Sequence, residues 1–286
     1  MANDVPSLGC SGPFLARSSA SRPMLTPTPS SSQALGSGVV TCSITDGIAT
    51  VSFYHPKSNS LPASLLSDIA GRITSVSKHP ATRVVVIRSE GAGSFCAGAS
   101  FDELKRIDSP EAGKEFFMGF ARVITAMRRC PKPIITRVQG KVVGGGVGIV
   151  AASDYVLAVP EAPIRLSELA VGIGPFVVGP VIERKVGHSA FSALALDADW
   201  RDAAWCVAHG LYTRVCDNLP ALDQVLNTLS HKLATFNPEA ISQLRATFWE
   251  GTDSWDSLLE ERAAMSGRLV LSDFTKNAIA AFEKRS

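Results

Sequence analysis

The chain has 286 residues, of which 45% are hydrophobic and 19% charged, enough to bury a substantial core in one or two domains. Its formal net charge is +2 and no long basic run occurs, so the charge pattern argues against a nucleic-acid partner. No apolar stretch reaches the roughly 18 residues that would predict a membrane span. The six cysteines and five histidines are scattered without metal-ligand spacing, which predicts reduced thiols and no metal site.

The first 37 residues differ in composition from the remainder of the chain. They are rich in Ser, Pro, Gly and Ala and show no hydrophobic periodicity. Such a segment buries too little apolar surface to offset the entropy lost on ordering. It is compatible with either a disordered tail or an organellar transit peptide. The predicted location therefore remains open: mitochondrial if residues 1–37 are a transit peptide, otherwise cytoplasmic.

From residue 38 onward, strand and helix patterns alternate. Apolar residues with a period of two flank Asp46-Gly47, which predicts a hairpin with a tight turn. A helical period and a proline in its first turn predict a long helix that begins at Pro110. The predicted elements, in chain order, are a hairpin at 42–53, a helix at 61–76, a strand at 84–87, a glycine-punctuated loop at 91–98, a helix at 110–129, and strands at 134–138 and 155–159 that flank a glycine-rich turn and a helix.

This alternation predicts an α/β fold with largely parallel strand pairing. We divide the chain into an α/β core at residues 38–225 and a C-terminal helical region at residues 226–286, with the latter expected to support oligomerisation. The helical pattern dominates from Ser189 onward, with breaks near Gly210, Asn237-Pro238 and Gly251. The segment at 236–286 is expected to bury apolar side chains against its own core or against a neighbouring subunit, among them Phe248, Leu258, Leu259 and Phe274.

Three segments carry candidate chemistry. In the first, residues 94–104, small residues follow a buried strand and allow a ligand to approach the backbone. In the second, residues 131–146, three consecutive glycines open a helix and leave backbone N–H groups without helical acceptors. In the third, residues 166–176, Glu168 is followed by a glycine- and proline-containing run. Each segment alone has a commonplace structural explanation, but their combination and spacing favour a single functional site.

Taken together, these segments closely resemble the crotonase (enoyl-CoA hydratase/isomerase) superfamily. The resemblance runs from about residue 40 to residue 285. It implies a crotonase-like spiral of ββα units with a C-terminal helical layer, assembled as a homotrimer or homohexamer. It also implies an acyl-CoA thioester as the substrate. Because that substrate carries coenzyme A itself, no separate cofactor is expected.

The resemblance also implies roles for individual residues. The backbone N–H groups of Ala99 and Gly145 correspond to the family's oxyanion hole, which holds the thioester oxygen as an enolate forms. One such preorganised donor lowers a barrier by about 2.7–4 kcal/mol. Glu168 corresponds to a catalytic glutamate of the family. These three residues are the predicted catalytic set.

Recognition of coenzyme A is expected from a second group of residues. Lys57 corresponds to a family lysine near the nucleotide end, where a cation neutralises phosphate charge. A second family lysine is replaced here by Asp102. The phosphate contact would then require Lys105 or Lys284 of a neighbouring subunit. The remaining residues predicted to bind the coenzyme A thioester are Ala97, Gly98 and Gly144.

One position departs from the family's hydratases. Those enzymes carry a first catalytic glutamate two residues after the three glycines, where this chain has Gly148. Hydration usually engages two carboxylates, whereas shifting a double bond needs only one base. Dienoyl-CoA isomerases and hydroxyacyl-CoA hydrolases place an aspartate where this chain has Phe176. We therefore favour an enoyl-CoA isomerase that acts through a thioester enolate. The alternatives are an enoyl-CoA hydratase of fatty-acid or branched-chain amino-acid breakdown, and a weakly active acyl-CoA-binding homologue.

Overall fold

A computed structural model describes Gly36 and residues 38–283 of the chain. The predicted leader, apart from Gly36, and Lys284 lie outside the described residues. The strands are β1 Val39–Thr45, β2 Ile48–Tyr54, β3 Val84–Ser89, β4 Ile134–Val138, β5 Val142–Val143, β6 Tyr155–Ala158, β7 Ile164–Arg165 and β8 Arg214–Val215. The helices are α1 Ala63–Lys78, α2 Phe101–Leu104, α3 Pro110–Arg129, α4 Gly145–Ala151, α5 Gly179–Val186, α6 His188–Asp197, α7 Ala203–Ala208, α8 Leu219–Ala234, α9 Pro238–Phe248, α10 Trp255–Leu269 and α11 Asp273–Glu283.

The main sheet has the strand order β1-β2-β3-β4-β6-β8. The first pair is antiparallel, and Asp46 and Gly47, both with positive φ, form the tight turn between its strands. Every other pair in this sheet is parallel. The short strands β5 and β7 form a second, parallel pair. The α/β arrangement with largely parallel pairing is therefore confirmed.

Helices cover the sheet with their apolar faces. In α1, five buried residues recur at helical spacing, Leu65, Leu66, Ile69, Ile73 and Val76, and the helix contacts β1, β2, β3 and α3. Helix α10 of the C-terminal region packs against α3 of the core, so the helical layer continues the fold of the α/β core.

The described helices include none long and apolar enough to cross a membrane.

Helices α10 and α9 both attach the C-terminal region to the core. Helix α10 lies along α3, and the two backbones meet at Gly113 and Gly267, where a Cβ on Gly113 would lie 2.7 Å from the Gly267 Cα. The Arg245 side chain of α9 is buried and donates hydrogen bonds to Asp154 Oδ2 at 2.7 Å and to the Met127 carbonyl at 3.2 Å. Asp154 also accepts a hydrogen bond from the backbone of β4, so its carboxylate has a structural role.

The predicted burial of the C-terminal region is confirmed for only part of the set. Leu259 is buried and Leu258 packs against the core. Phe248 and Phe274 are 47% and 67% exposed, so they are not buried against the chain's own core, and their burial against a neighbouring subunit stays a prediction. Phe248 is the last residue of α9, and Phe274 covers Gly172 with only one edge of its ring. Both rings remain available to a neighbouring subunit.

Candidate active site

One cavity of about 1170 Å³ brings the three candidate segments together. Its walls come from the loop after β3, the turn between β5 and α4, and the segment around Glu168. Side chains of α3, α10 and α11 complete it. All of the predicted site residues line this cavity: Lys57, Ala97, Gly98, Ala99, Gly144, Gly145 and Glu168.

Cys96 joins the first segment to the second. Its backbone N–H donates to the Lys141 carbonyl at 3.3 Å, and the Val143 N–H donates to the Cys96 carbonyl at 2.8 Å. The Cys96 Sγ accepts a hydrogen bond from the Gly98 N–H at 3.4 Å. Burial raises the pKa of the thiol to about 12, so the thiol stays protonated and unreactive. The loop that carries Ala99 is thereby held against the strand that leads to Gly145.

Ala99 and Gly145 both line the cavity, and their backbone N–H groups have no protein acceptor in the described part of the chain. Gly145 is the first residue of α4, where a helix supplies no acceptor. The preceding residues differ, because the Gly98 N–H donates to sulfur and the Gly144 N–H donates to the Arg165 carbonyl at 2.9 Å. Two unused donors therefore remain in the cavity wall.

Each of the three consecutive glycines is required by a different local constraint. Gly144 adopts φ 55° and ψ −123°, a conformation that residues with a Cβ rarely adopt. A Cβ on Gly145 would overlap the Phe120 ring, lying 2.5 Å from both its Cε1 and its Cε2. A Cβ on Gly146 would lie 2.7 Å from the Cys96 Cβ. Side chains here would displace either the α3 wall or the loop that carries Ala99.

Glu168 places its carboxylate against the glycine turn. A Cβ built on Gly144 would lie 3.1 Å from Glu168 Oε1. Oε2 is shielded from solvent and has no hydrogen-bond partner among the described residues, although the residue as a whole is only half-buried. Burial raises the pKa of Glu168 to about 7, against a smaller opposing effect of its own backbone N–H and that of Ser167. Near neutral pH this carboxylate is suited to accept a proton.

The position of the missing carboxylate is filled by hydrocarbon. A Cβ on Gly148 would lie 2.6 Å from Val178 Cγ1 and 3.3 Å from Ile124 Cδ1. There is no space at this position for a longer side chain without repacking. The described cavity lining contains two carboxylates, Glu168 and Asp102. The wall beyond Glu168 is largely apolar and includes Phe116, Phe117, Phe120, Ile173, Phe176, Val177 and Val178.

The exposed end of the cavity carries charges. Lys57 forms an ion pair with Asp102, whose other oxygen lies 3.7 Å from Lys105 Nζ. The hydrogen bond from Lys57 lowers the pKa of the Asp102 carboxyl, so this group is ionised at neutral pH. Lys57 therefore lines the cavity with its charge already paired within the chain, and its contact with coenzyme A stays a prediction. No group of His, Cys, Asp and Glu in the described part of the chain could hold a metal ion.

Several lining residues were not identified from the sequence. Phe116 and Phe120 lie one helical turn apart on the buried face of α3, a spacing that was visible but equally typical of core packing. Val178 follows the Glu168 segment and gave no signal of its own. Ala278 and Ala281 of α11 complete the cavity from a distant part of the chain.

The chain is similar to proteins of known sequence and structure. Residues 43–286 match the family model described as enoyl-CoA hydratase/isomerase. The chain is 32% identical over 135 residues to the (7aS)-7a-methyl-1,5-dioxo-2,3,5,6,7,7a-hexahydro-1H-indene-carboxyl-CoA hydrolase of Rhodococcus jostii, covering 47% of this chain and 52% of the relative. Thus it spans about half the length of that relative. It is 27% identical over 233 residues to the human mitochondrial methylglutaconyl-CoA hydratase, covering 79% of this chain and 68% of the relative.

A solved structure shows the same fold. The enoyl-CoA hydratase of Bacillus halodurans superposes with a TM-score of 0.79 at 18% identity, covering 85% of this chain and 99% of that one. This agreement confirms the predicted crotonase-like α/β fold. With a family model that matches most of the chain, the protein belongs to the enoyl-CoA hydratase/isomerase family of the crotonase superfamily.

Proposed function

We propose that this protein is an enoyl-CoA isomerase, which moves the double bond of a 3-enoyl-CoA to the 2-position. Glu168 takes a proton from C2, and the electrons move into the thioester oxygen to form a dienolate. The same carboxyl group then returns a proton to C4, which leaves the double bond between C2 and C3. The reaction is balanced without water or a further reactant.

The proposed oxyanion donors are the N–H groups of Ala99 and Gly145. Both lack a protein acceptor in the described residues, and both line the cavity that contains Glu168. Donors that are already fixed stabilise developing charge without reorganising during the reaction. Cys96 supports this arrangement because its hydrogen bonds hold the Ala99 loop to β5.

The observation that carries the proposal is the packing around Gly148. Val178 occupies the space beside this glycine, so no carboxylate is available there to hold or activate water. The other carboxylate in the described lining, Asp102, lies at the exposed end in an ion pair with Lys57. A single carboxylate at the glycine turn suits transfer of a proton between two carbons of one substrate.

Hydration is the competing function, because several relatives are named hydratases. The test compares a 3-enoyl-CoA with the 2-enoyl-CoA of equal chain length, assayed for isomerisation and hydration under identical conditions. We expect isomerisation to be the faster reaction, because loss of general acid–base assistance slows hydration by about 10²–10⁴-fold. Faster hydration would refute the isomerase proposal. Binding of both esters without turnover would instead support a weakly active acyl-CoA-binding homologue.

A further inference from the structure

The ion pair at the cavity mouth is built by the local structure. Ser100 caps α2 by accepting a hydrogen bond from the Glu103 N–H at 3.3 Å. This cap places Asp102 in the first turn of α2, where a negative charge is favourable. The carboxylate meets Lys57, which comes from the loop before α1. Both side chains also line the cavity.

The charges of the lining show which end of the cavity faces the phosphates of a bound coenzyme A. The wall around Glu168 is apolar, and burial of phosphate there would be costly. Arg165 also lines the cavity, but its Nε donates to the Ala198 carbonyl at 2.6 Å and its guanidinium lies over the Trp200 ring. The exposed end with Lys57 and Asp102 is therefore the place for the anionic nucleotide. This step rests on the proposed thioester substrate.

We propose that Asp102 is a specificity-determining residue that neutralises Lys57 and thereby weakens recognition of the phosphates of coenzyme A. The site then recognises its substrate mainly through the uncharged pantetheine thioester arm. In the free protein, the Asp102 carboxylate pairs with the Lys57 ammonium group, which a phosphate would otherwise approach. Asp102 lies between Lys57 and Lys105, so a bound phosphate either displaces this carboxylate or meets a cluster whose positive charge Asp102 has lowered by one.

The exposure of the Lys57 and Asp102 side chains sets the size of the expected change in affinity for coenzyme A. The Lys57 and Asp102 side chains are 66% and 44% exposed, so solvent and salt screen their charges. Exchange of an exposed charge near a charged partner changes affinity by about three- to fivefold at low ionic strength. Asp102→Asn removes the charge and keeps the shape of the side chain. It should therefore improve KM for an acyl-CoA by that factor, with kcat unchanged.

The experiment measures KM and kcat at low and high salt for an acyl-CoA and for the matching acyl-pantetheine, which lacks all phosphates. The Asp102→Asn variant should gain only with the acyl-CoA and only at low salt. Lys57→Gln should cancel the gain in the Asp102→Asn background, and its effect on KM should be larger there than in the wild-type background. Asp253→Asn, an exposed change outside the cavity lining, removes the same charge and should show no gain.

An unchanged KM for acyl-CoA in Asp102→Asn, or an equal gain with both thioesters, would overturn the proposal. Binding of free coenzyme A, followed by calorimetry, gives a second measurement that does not need turnover. Tighter binding by Asp102→Asn than by the wild type and by Asp253→Asn would support the proposal even if the isomerase assignment fails. Equal binding by all three proteins would refute it, whatever reaction the protein catalyses.

Discussion

Replacement of Glu168 by glutamine is expected to stabilise the protein above neutral pH. The carboxylate is buried without a hydrogen-bond partner for Oε2 in the described residues, and its pKa is raised from 4.5 to about 7. Because the folded-state pKa lies above the unfolded value, the native state is favoured relative to the unfolded state below pH 4.5 and loses that advantage as the pH rises through 7. Glutamine has the same shape and never ionises.

The size of this change in stability follows from the raised pKa of Glu168. Each pKa unit corresponds to about 1.4 kcal/mol, so ionisation of Glu168 costs the native state roughly 3 kcal/mol, of which about 2.5 kcal/mol develops between pH 5 and pH 8. The free energy of unfolding of Glu168→Gln, relative to the wild type, should rise by about this amount between the two pH values.

Urea denaturation of both proteins at pH 5 and pH 8, at equal protein concentration, measures this difference. Glu261→Gln, at an exposed site of α10, is the matched control and should show no comparable gain. A relative stability of Glu168→Gln that is the same at both pH values would show that the buried carboxylate carries no such cost. The argument for a base with a raised pKa would then fail.

Three further predictions concern the pH dependence of activity, the packing at Gly148 and the oligomeric state. The value of kcat/KM should fall about tenfold per pH unit below pH 7, because Glu168 must be ionised to accept a proton; a profile that is flat from pH 5 to 8 would contradict this. Gly148→Ala should lower the free energy of unfolding by about 1–3 kcal/mol, because the added methyl group overlaps Val178. Gly71→Ala, in open space on α1, should raise the free energy of unfolding by about 0.5–1 kcal/mol. Equal effects of the two substitutions would contradict the packing described around Gly148. Light scattering should show a trimer or a hexamer, since α9 and the segment before it leave three large apolar side chains exposed, Phe236, Leu244 and Phe248. A stable monomer at micromolar concentration would contradict this.

Long elements with a clear period were predictable from the sequence, and very short ones were not. The hairpin around Asp46-Gly47 and the strand at 134–138 agree with β1, β2 and β4. The strands β5, β7 and β8 have two residues each, too few to show an alternation. Tertiary contacts form these strands, because each pairs with a segment distant in the sequence.

The convergence of the three candidate segments was predictable, whereas the packing between them was not. Ala99, Gly145 and Glu168 were assigned from the resemblance of their segments to the crotonase superfamily, and they line one cavity. The contact of Val178 with Gly148 joins positions thirty residues apart, and no local pattern encodes it. The Lys57–Asp102 pair likewise joins the loop before α1 to the short helix α2. Such contacts depend on the assembled backbone.

The most direct test of the central claim is the isomerisation rate of Glu168→Gln, measured together with its affinity for the substrate. If Glu168 is the base, conversion of a 3-enoyl-CoA should fall by about 10²–10⁴-fold. Affinity for the ester should stay close to that of the wild type, because the backbone donors at Ala99 and Gly145 and the apolar wall are unchanged. A variant that retains more than roughly a tenth of the wild-type rate would contradict the account, because general-base loss alone costs far more.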